Sequence, residues 1–426
     1  MRLPSVAKLV GDEIKGHLKW SSCVTGADDN IYGIPCHARR VIKFNPVDKS
    51  TIEIGPDLGP GMWKWQGGVL AGNGCIYCIR CGSPNAGSIL KIDTIHGTVT
   101  LLHVRLPETG PMLWASGALA LDGCIYYMPA YAFRILKFNP EDNTVASVGD
   151  HIAGEGWKCI GTVADNDGYL YGIPNEAKHI LRFNPSNQEI SRVGGTAELY
   201  FRCRGNGVSA RDGFIYAANN DGKVLKIDVA NDSYLFVGNT VKSSNISKEW
   251  GDAISGDDGC IYWPPCKAKF TLKFDPESQI TSLVGDEFGS GIFKWTTGAS
   301  SSDRVIYCLP INATHVLAID PFKELVITLQ VNMQKFPEKL GLLFVQNKYG
   351  KTTYENAVTK FGKEKVFQAI AKCIPSSIAC AGTRLPSFFV AASCENSAVS
   401  LIYYLIRKDP SSVNEINYYI GDNHLS

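Results

Sequence analysis

WASGALALDGCIYYMPAYAFRILKFNPEDNTVASVGD, residues 114–150, decides the fold. It opens on Trp114, breaks at Asp122-Gly123 and resumes as Ile125-Tyr126. It breaks again at Pro129, reads ILKFNP over 135–140 and ends in VASVGD. An Asp-Gly pair between apolar runs supplies the positive φ of a tight hairpin, and Asn-Pro is turn chemistry after a strand. The frame then repeats. An apolar-Tyr pair recurs with Tyr at 32, 77, 126, 171, 216, 262 and 307, at spacings of 45, 49, 45, 45, 46 and 45. Twelve residues earlier stands Trp20, Trp65, Trp114, Trp250 or Trp295, with Cys159 and Arg204 in the remaining two copies. Asn73-Gly74, Asp167-Gly168, Asp212-Gly213 and Asp258-Gly259 repeat the hairpin, and VIKFNP, ILRFNP and TLKFDP repeat the third strand.

Four short strands in about 45 residues make one propeller blade. A lone four-stranded blade cannot bury both faces, so seven copies predict a closed ring whose edges are short and protected. The pattern resembles the β-propeller repeat class over residues 1–330, without the Trp-Asp ending of WD40 repeats or the phased Gly-Gly pair of kelch repeats. The expected fold is mainly β: a seven-bladed propeller of four-stranded blades. Leu9-Val10-Gly11-Asp12 matches the fourth-strand ending LVGD at 283–286. Residues 5–11 are therefore expected to pair with the last blade and zip the ring shut. Residues 322–330 occupy the same role within the seventh copy, and the sequence does not choose between them.

The period stops after residue 330. Gly350-Lys351-Thr352, Ala357, Gly362, Val366 and Ile370 form one segment, and Ala391, Leu401, Leu405 and Ile406 fall at helical spacing in a second. Both resemble degenerate ankyrin helix pairs, which implies a small helical segment over 331–426. Two such units are too few to stand alone, so the segment is expected to dock on the propeller or on a partner.

The chain has 426 residues, with 42 basic and 41 acidic side chains and a formal net charge of +1. That balance gives no global attraction to nucleic acid or to an anionic membrane, and a nucleic-acid role ranks last. No apolar stretch is long enough for a membrane span, and the N-terminus lacks the apolar run of a secretory signal. Cys75, Cys124 and Cys260 recur two residues before the repeat Tyr, as small core residues would. The fourteen cysteines are accordingly read as reduced, in an intracellular, cytoplasmic protein.

Signals for chemistry are weak. Gly350-Lys351-Thr352 lacks the earlier glycine of a phosphate loop, since Val345 stands there. Cys75, Cys78 and Cys81 lie on a predicted strand, where i and i+3 point to opposite faces, so core packing is favoured over zinc. Neither H-E-x-x-H nor G-x-S-x-G occurs. No catalytic residue, cofactor or metal ligand is assigned. Carboxylates gathered from several blades around a channel mouth would support the alternative, a propeller hydrolase or lactonase with a metal there.

Propeller topology puts the loops from strand four to the next strand one on the same face as the loops joining strands two and three. On that face the repeat places Lys19-Trp20, Lys64-Trp65 and Lys294-Trp295, with Lys158 at the equivalent position and Trp114, Arg204 and Trp250 in the Trp frame. Arg40, Arg134, His179, Lys223, Lys269 and His315 open the third strands there. The opposite face collects Asp122, Asp167, Asp212 and Asp258. The Trp residues are expected to wedge blades together. The basic groups would anchor an acidic or phosphorylated protein partner, in a non-enzymatic scaffold that is one subunit of a larger assembly.

Overall fold

The computed structural model describes residues 6–81, 88–154, 156–195, 199, 201–203, 205–219, 221–241, 249–321, 323, 357–359, 366, 377–380 and 383–386. The chain divides into a unit spanning Ala7–Ile319 and a second unit formed by Met1–Val6 with Asp320–Ser426. The first is a seven-bladed β-propeller in which every blade is a four-stranded antiparallel sheet. Blade 3 shows the pattern: Trp114–Leu119, Ile125–Pro129, Ile135–Asn139 and Thr144–Val148, each paired with the next in the sheet. Strand one of one blade lies against strand one of the next, which places these strands around the axis.

Blade 7 consists of Ala299–Ser300, Ile306–Cys308, Val316–Ile319 and, as its outer strand, Ala7–Val10. The N-terminal strand runs antiparallel to the last one, from Ala7 opposite Ile319 to Val10 opposite Val316. This settles the choice the sequence left open, in favour of the N-terminal strand; 322–330, apart from Lys323, lies outside the described residues. Gly11 ends that strand with φ +74°, as Gly285 ends the fourth strand of blade 6 with φ +89°.

The hairpin between strands one and two is the most regular part of the repeat. In blade 3 the Gly123 N–H donates to the Ala120 carbonyl at 3.0 Å, and Gly123 has φ +78°. This is a tight turn closed by a left-handed residue, the geometry that favours glycine. Asp122 caps the Cys124 N–H at 3.0 Å and accepts the Tyr126 hydroxyl at 2.8 Å. The Tyr-to-Asp bond recurs in blades 1, 4, 5, 6 and 7, and in blade 2 Asn73 donates to the Tyr77 hydroxyl. A buried tyrosine hydroxyl needs such a partner, and the aspartate of the turn supplies it.

The rings of these tyrosines form the seams between blades. Tyr77 packs on Phe138, Tyr126 on Phe183, Tyr216 on Phe274 and Tyr307 on Phe44, with centroids 5.0–5.6 Å apart. Each phenylalanine is the one in the third-strand motif of the following blade. The Tyr and Phe of the repeat are thus two halves of one contact, which no blade can complete alone.

In the second unit, Ser377–Cys380 pairs antiparallel with Thr383–Pro386, and Ala357–Thr359 is helical. The expected ankyrin-like helices over 331–426 fall mainly outside the described residues. No helix among the described residues is long and apolar enough to cross a membrane.

Candidate binding face

The lysines before the tryptophans lie at the expected face, but they are not surface anchors. Lys19, Lys64, Lys158 and Lys294 are only 1–6% exposed. Lys64 Nζ donates to the Ala38 carbonyl at 2.6 Å and the Gly59 carbonyl at 2.9 Å. Lys294 Nζ reaches Ala268 at 2.8 Å and Gly291 at 3.1 Å, and Lys19 Nζ reaches Ala313 at 2.9 Å and Gly16 at 3.0 Å. In each case the alanine belongs to the loop between strands two and three of the preceding blade. The glycine belongs to the loop leading into the lysine's own blade. These ammonium groups bolt neighbouring blades together and share the face the topology assigned, but they are consumed by carbonyls. Burial lowers the pKa of Lys19 and Lys294 to about 8. Glu249, 1% exposed, occupies the same position in blade 6.

The tryptophans are wedges, as expected. Trp20, Trp65, Trp114, Trp250 and Trp295 are 1–3% exposed. Four of them donate Nε1 at 3.0 Å to a carbonyl twenty residues on: Trp20 to Arg40, Trp114 to Arg134, Trp250 to Phe270 and Trp295 to His315. Trp65 Nε1 is buried without a partner, and the Arg80 guanidinium lies 5.5 Å from its ring centroid. Cys159 is buried in the fourth copy, and Arg204 lies outside the described residues.

The groups opening the third strands are more varied. Arg40 donates to the Gly55 carbonyl at 2.6 Å and Arg134 to Gly149 at 2.8 Å, both exposed. Lys269 pairs with Glu287 at 2.7 Å. The Lys223 ammonium lies 5.5 Å from the Phe236 centroid, and His315 Nδ1 is 3.0 Å from Thr314 Oγ1. His179 Nδ1 is buried without a partner. On the opposite face, Asp122 and Asp258 are held by their tyrosines and by Lys137 and Lys273, so those carboxylates are committed to the hairpins.

Sequence reasoning missed the residue one step earlier in each copy. Leu18, Trp63, Met112 and Phe293 precede the bolt position, and all four adopt φ of 48–54°. Bulky side chains in that region are strained, and such strain gathers at functional surfaces. Trp63 and Phe293, and at the equivalent positions Trp157 and Arg202, lie over the preceding blade's loop, each against a residue twenty-six positions earlier. Trp63 meets His37 edge-on at 5.7 Å, Trp157 lies 6.2 Å from Tyr131, and Phe293 takes the Lys267 ammonium at 5.2 Å. In the fifth copy the pair is ionic, Arg202 to Glu176 at 2.8 Å. Trp63 is 41% exposed, Tyr131 45%, Phe133 48% and the adjacent Met62 69%. The signal in sequence was the large residue two before each Trp, hidden because its identity changes from blade to blade.

The axis is lined differently. Strand one carries a register shift just after its first residues in blades 1 to 4, which bends the strand there. Ser21 Oγ donates to the Trp65 carbonyl at 3.1 Å and Thr296 Oγ1 to the Ser21 carbonyl at 2.7 Å, linking blades 7, 1 and 2. Asn206 of blade 5 reaches Ser116 Oγ of blade 3 at 3.2 Å, across Gly161 of blade 4. Its N–H donates to Asp252 at 2.8 Å. Near the axis, hydroxyls, amides and the Asp252 carboxylate are thus joined by hydrogen bonds between blades. Among the described residues no three of His, Cys, Asp and Glu gather as a metal site. Cys75, Cys78 and Cys81 are buried core thiols, and burial pushes Cys81 up to about 12.

A family model described as a repeat of unknown function (DUF6923) matches residues 68–260, from strand one of blade 2 to the turn between strands one and two of blade 6. Among curated proteins nothing matches the chain. Solved propellers resemble it in fold. A streptogramin B lyase superposes with TM-score 0.58 at 12% identity, covering 73% of this chain and 97% of the other. A catalytically inactive virginiamycin B lyase from Staphylococcus aureus, with quinupristin, gives the same score and identity, covering 73% and 98%. The hydrazine synthase of Kuenenia stuttgartiensis gives 0.54 at 10%, covering 74% and 99%. At such identities the likeness carries the seven-bladed architecture and leaves the chemistry of this face to its own residues.

Proposed function

We propose that this chain is a non-enzymatic interaction scaffold that receives a protein partner on the face carrying Trp63, Tyr131 and Phe293. One observation supports it above all. Trp63 and Phe293, in strained backbone positions, lie against the preceding blade's loop on that face, and Trp63, Tyr131 and Phe133 remain about half exposed there. Rigid aromatics with basic neighbours are the usual anchors of a protein interface, because they bury much area while losing little rotamer freedom. Arg40, Arg134, Lys223 and Lys267 supply positive charge beside them, which suits an acidic partner segment. The scaffold reading also draws on the axis, where polar groups are spent on joining blades.

The test is capture from an extract of the source organism, followed by affinity measurement with the purified partner. Trp63→Ser, Tyr131→Ser and Phe293→Ser together should weaken binding at least a hundredfold, by about 3 kcal/mol. Val47→Ser with Leu121→Ser, exposed apolar changes elsewhere on the propeller, should leave it unchanged. Equal affinity for the triple variant and the wild type would end the proposal.

A further inference from the structure

Beside blade 4 the loop face opens into a cleft of about 540 Å³. Its walls come from the loop entering the blade (Asp150–Gly154), from Glu176–His179, and from Leu181, Ile190 and Arg192 on the outer strands. Here the repeat is broken in an informative way. In blades 1, 2 and 7 the bolt lysine reaches the alanine carbonyl of the preceding blade, but Lys158 does not bond to the equivalent Ala132. Its Nζ keeps one carbonyl, Gly154 at 3.2 Å, and otherwise lies 5.2 Å from the Phe133 ring centroid. Lys158 is nonetheless 5% exposed and lines the cleft. An ammonium carries three donors, so two are left over in a buried place, where unmade hydrogen bonds are expensive. His179 Nδ1, also on the cleft wall, is buried with no partner. Arg192 makes no ion pair with a described residue. Of the two lining carboxylates, Glu176 is already bound by Arg202 and by the Trp157 N–H.

We infer that this cleft binds a small organic anion: a carboxylate or phosphate head held by Lys158, Arg192 and His179, and an apolar body against Leu181 and Ile190. The head group would satisfy the donors the protein leaves open, with charge-assisted bonds. The volume suits a ligand of metabolite size with a few polar groups fixing its orientation. Phe133 stacked on His151, centroids 5.0 Å apart, edges the site with a flat surface. The site is separate from the proposed partner face anchors, and either reading can fail without the other.

Calorimetric titration of the full chain with phenyl phosphate tests it. One saturable site is expected. Arg192→Gln should weaken it about tenfold or more, and Lys158→Met likewise. Arg192 is an exposed strand residue, so the test does not hinge on the buried Lys158→Met variant folding. Arg211→Gln, at an exposed arginine in the first hairpin turn of blade 5, should leave the affinity within twofold. Inorganic phosphate, lacking the body, should bind at least tenfold more weakly. The inference is overturned if the wild type shows no saturable binding, if Arg192→Gln binds as well as wild type, if Arg211→Gln loses as much, or if inorganic phosphate binds equally well.

Discussion

A lysine ammonium in a protein interior is tolerable when carbonyls replace its water, and Lys64 with two close carbonyls is the complete case. The arrangement has a pH signature. Burial holds Lys19 and Lys294 near 8, below an unfolded lysine at about 10.4. Between those values each of these two lysines binds more protons in the unfolded chain than in the folded one, so the pair contributes a rise in the free energy of unfolding with pH across that window. The buried thiols, raised by burial, contribute the opposite slope there, in the wild type and in a lysine variant alike. In urea titrations from pH 7.5 to 10 the unfolding free energy of Lys19→Met with Lys294→Met should therefore fall more steeply with pH than that of the wild type; an identical slope in both proteins would refute the assignment. The lysines themselves were plain in the sequence. Their burial was not, because the alanine carbonyl that accepts them lies in another blade, twenty-six residues earlier for Lys64 and Lys294 and at the far end of the propeller sequence for Lys19, and no local pattern reports it. The same kind of separation hid the contacts of Trp63 with His37 and of Phe293 with Lys267, which belong to the proposed interface.

At the level of single elements, the Asp-Gly hairpins were the most readable feature, since one backbone requirement repeats in every copy. Where glycine is absent the requirement remains: Asp29 and Arg304 hold φ of 62° and 66° at the same point of the turn. Gly123 isolates the conformational term, because a Cβ there would meet nothing within 4 Å. Gly123→Ala should therefore destabilise by about 1 kcal/mol from backbone strain alone. Gly72→Ala, equally open but without a positive φ, should be neutral or slightly stabilising. Equal effects in thermal unfolding would show that the left-handed turn is not what selects glycine. The link from each turn aspartate to the Tyr four residues later escaped the sequence reading, although both residues were quoted in it. Spacing shows that two groups recur together, and only the folded strand shows that one hydroxyl ends at the other's carboxylate.

For the whole molecule, the ring depends on a joint between distant parts of the chain. Paired residues in an antiparallel ladder lie about 4.5–5.5 Å apart at Cα, within reach of a disulfide. Lys8 faces Ala318 across the closing pair, the first exposed and the second small. Lys8→Cys with Ala318→Cys should cross-link under oxidation and raise stability by about 2–4 kcal/mol. Failure to cross-link would mean that another segment closes the ring. The count of seven was legible, because it rests on a repeated motif, whereas the closing strand was legible only as one of two candidates, 5–11 or 322–330, since both carried the fourth-strand role. The site at blade 4 was invisible, because it arises where one copy departs from its siblings in three dimensions while keeping their lysine in sequence. The joint also sets an order of events at the ribosome. Residues 7–10 emerge before the blades they close, and their partner strand at 316–319 leaves the exit tunnel only after six blades have been made. Until then the strand at 7–10 lacks its partner and the nascent blades stand as an open arc, so pairing of such distant segments makes completion of the ring slow and late.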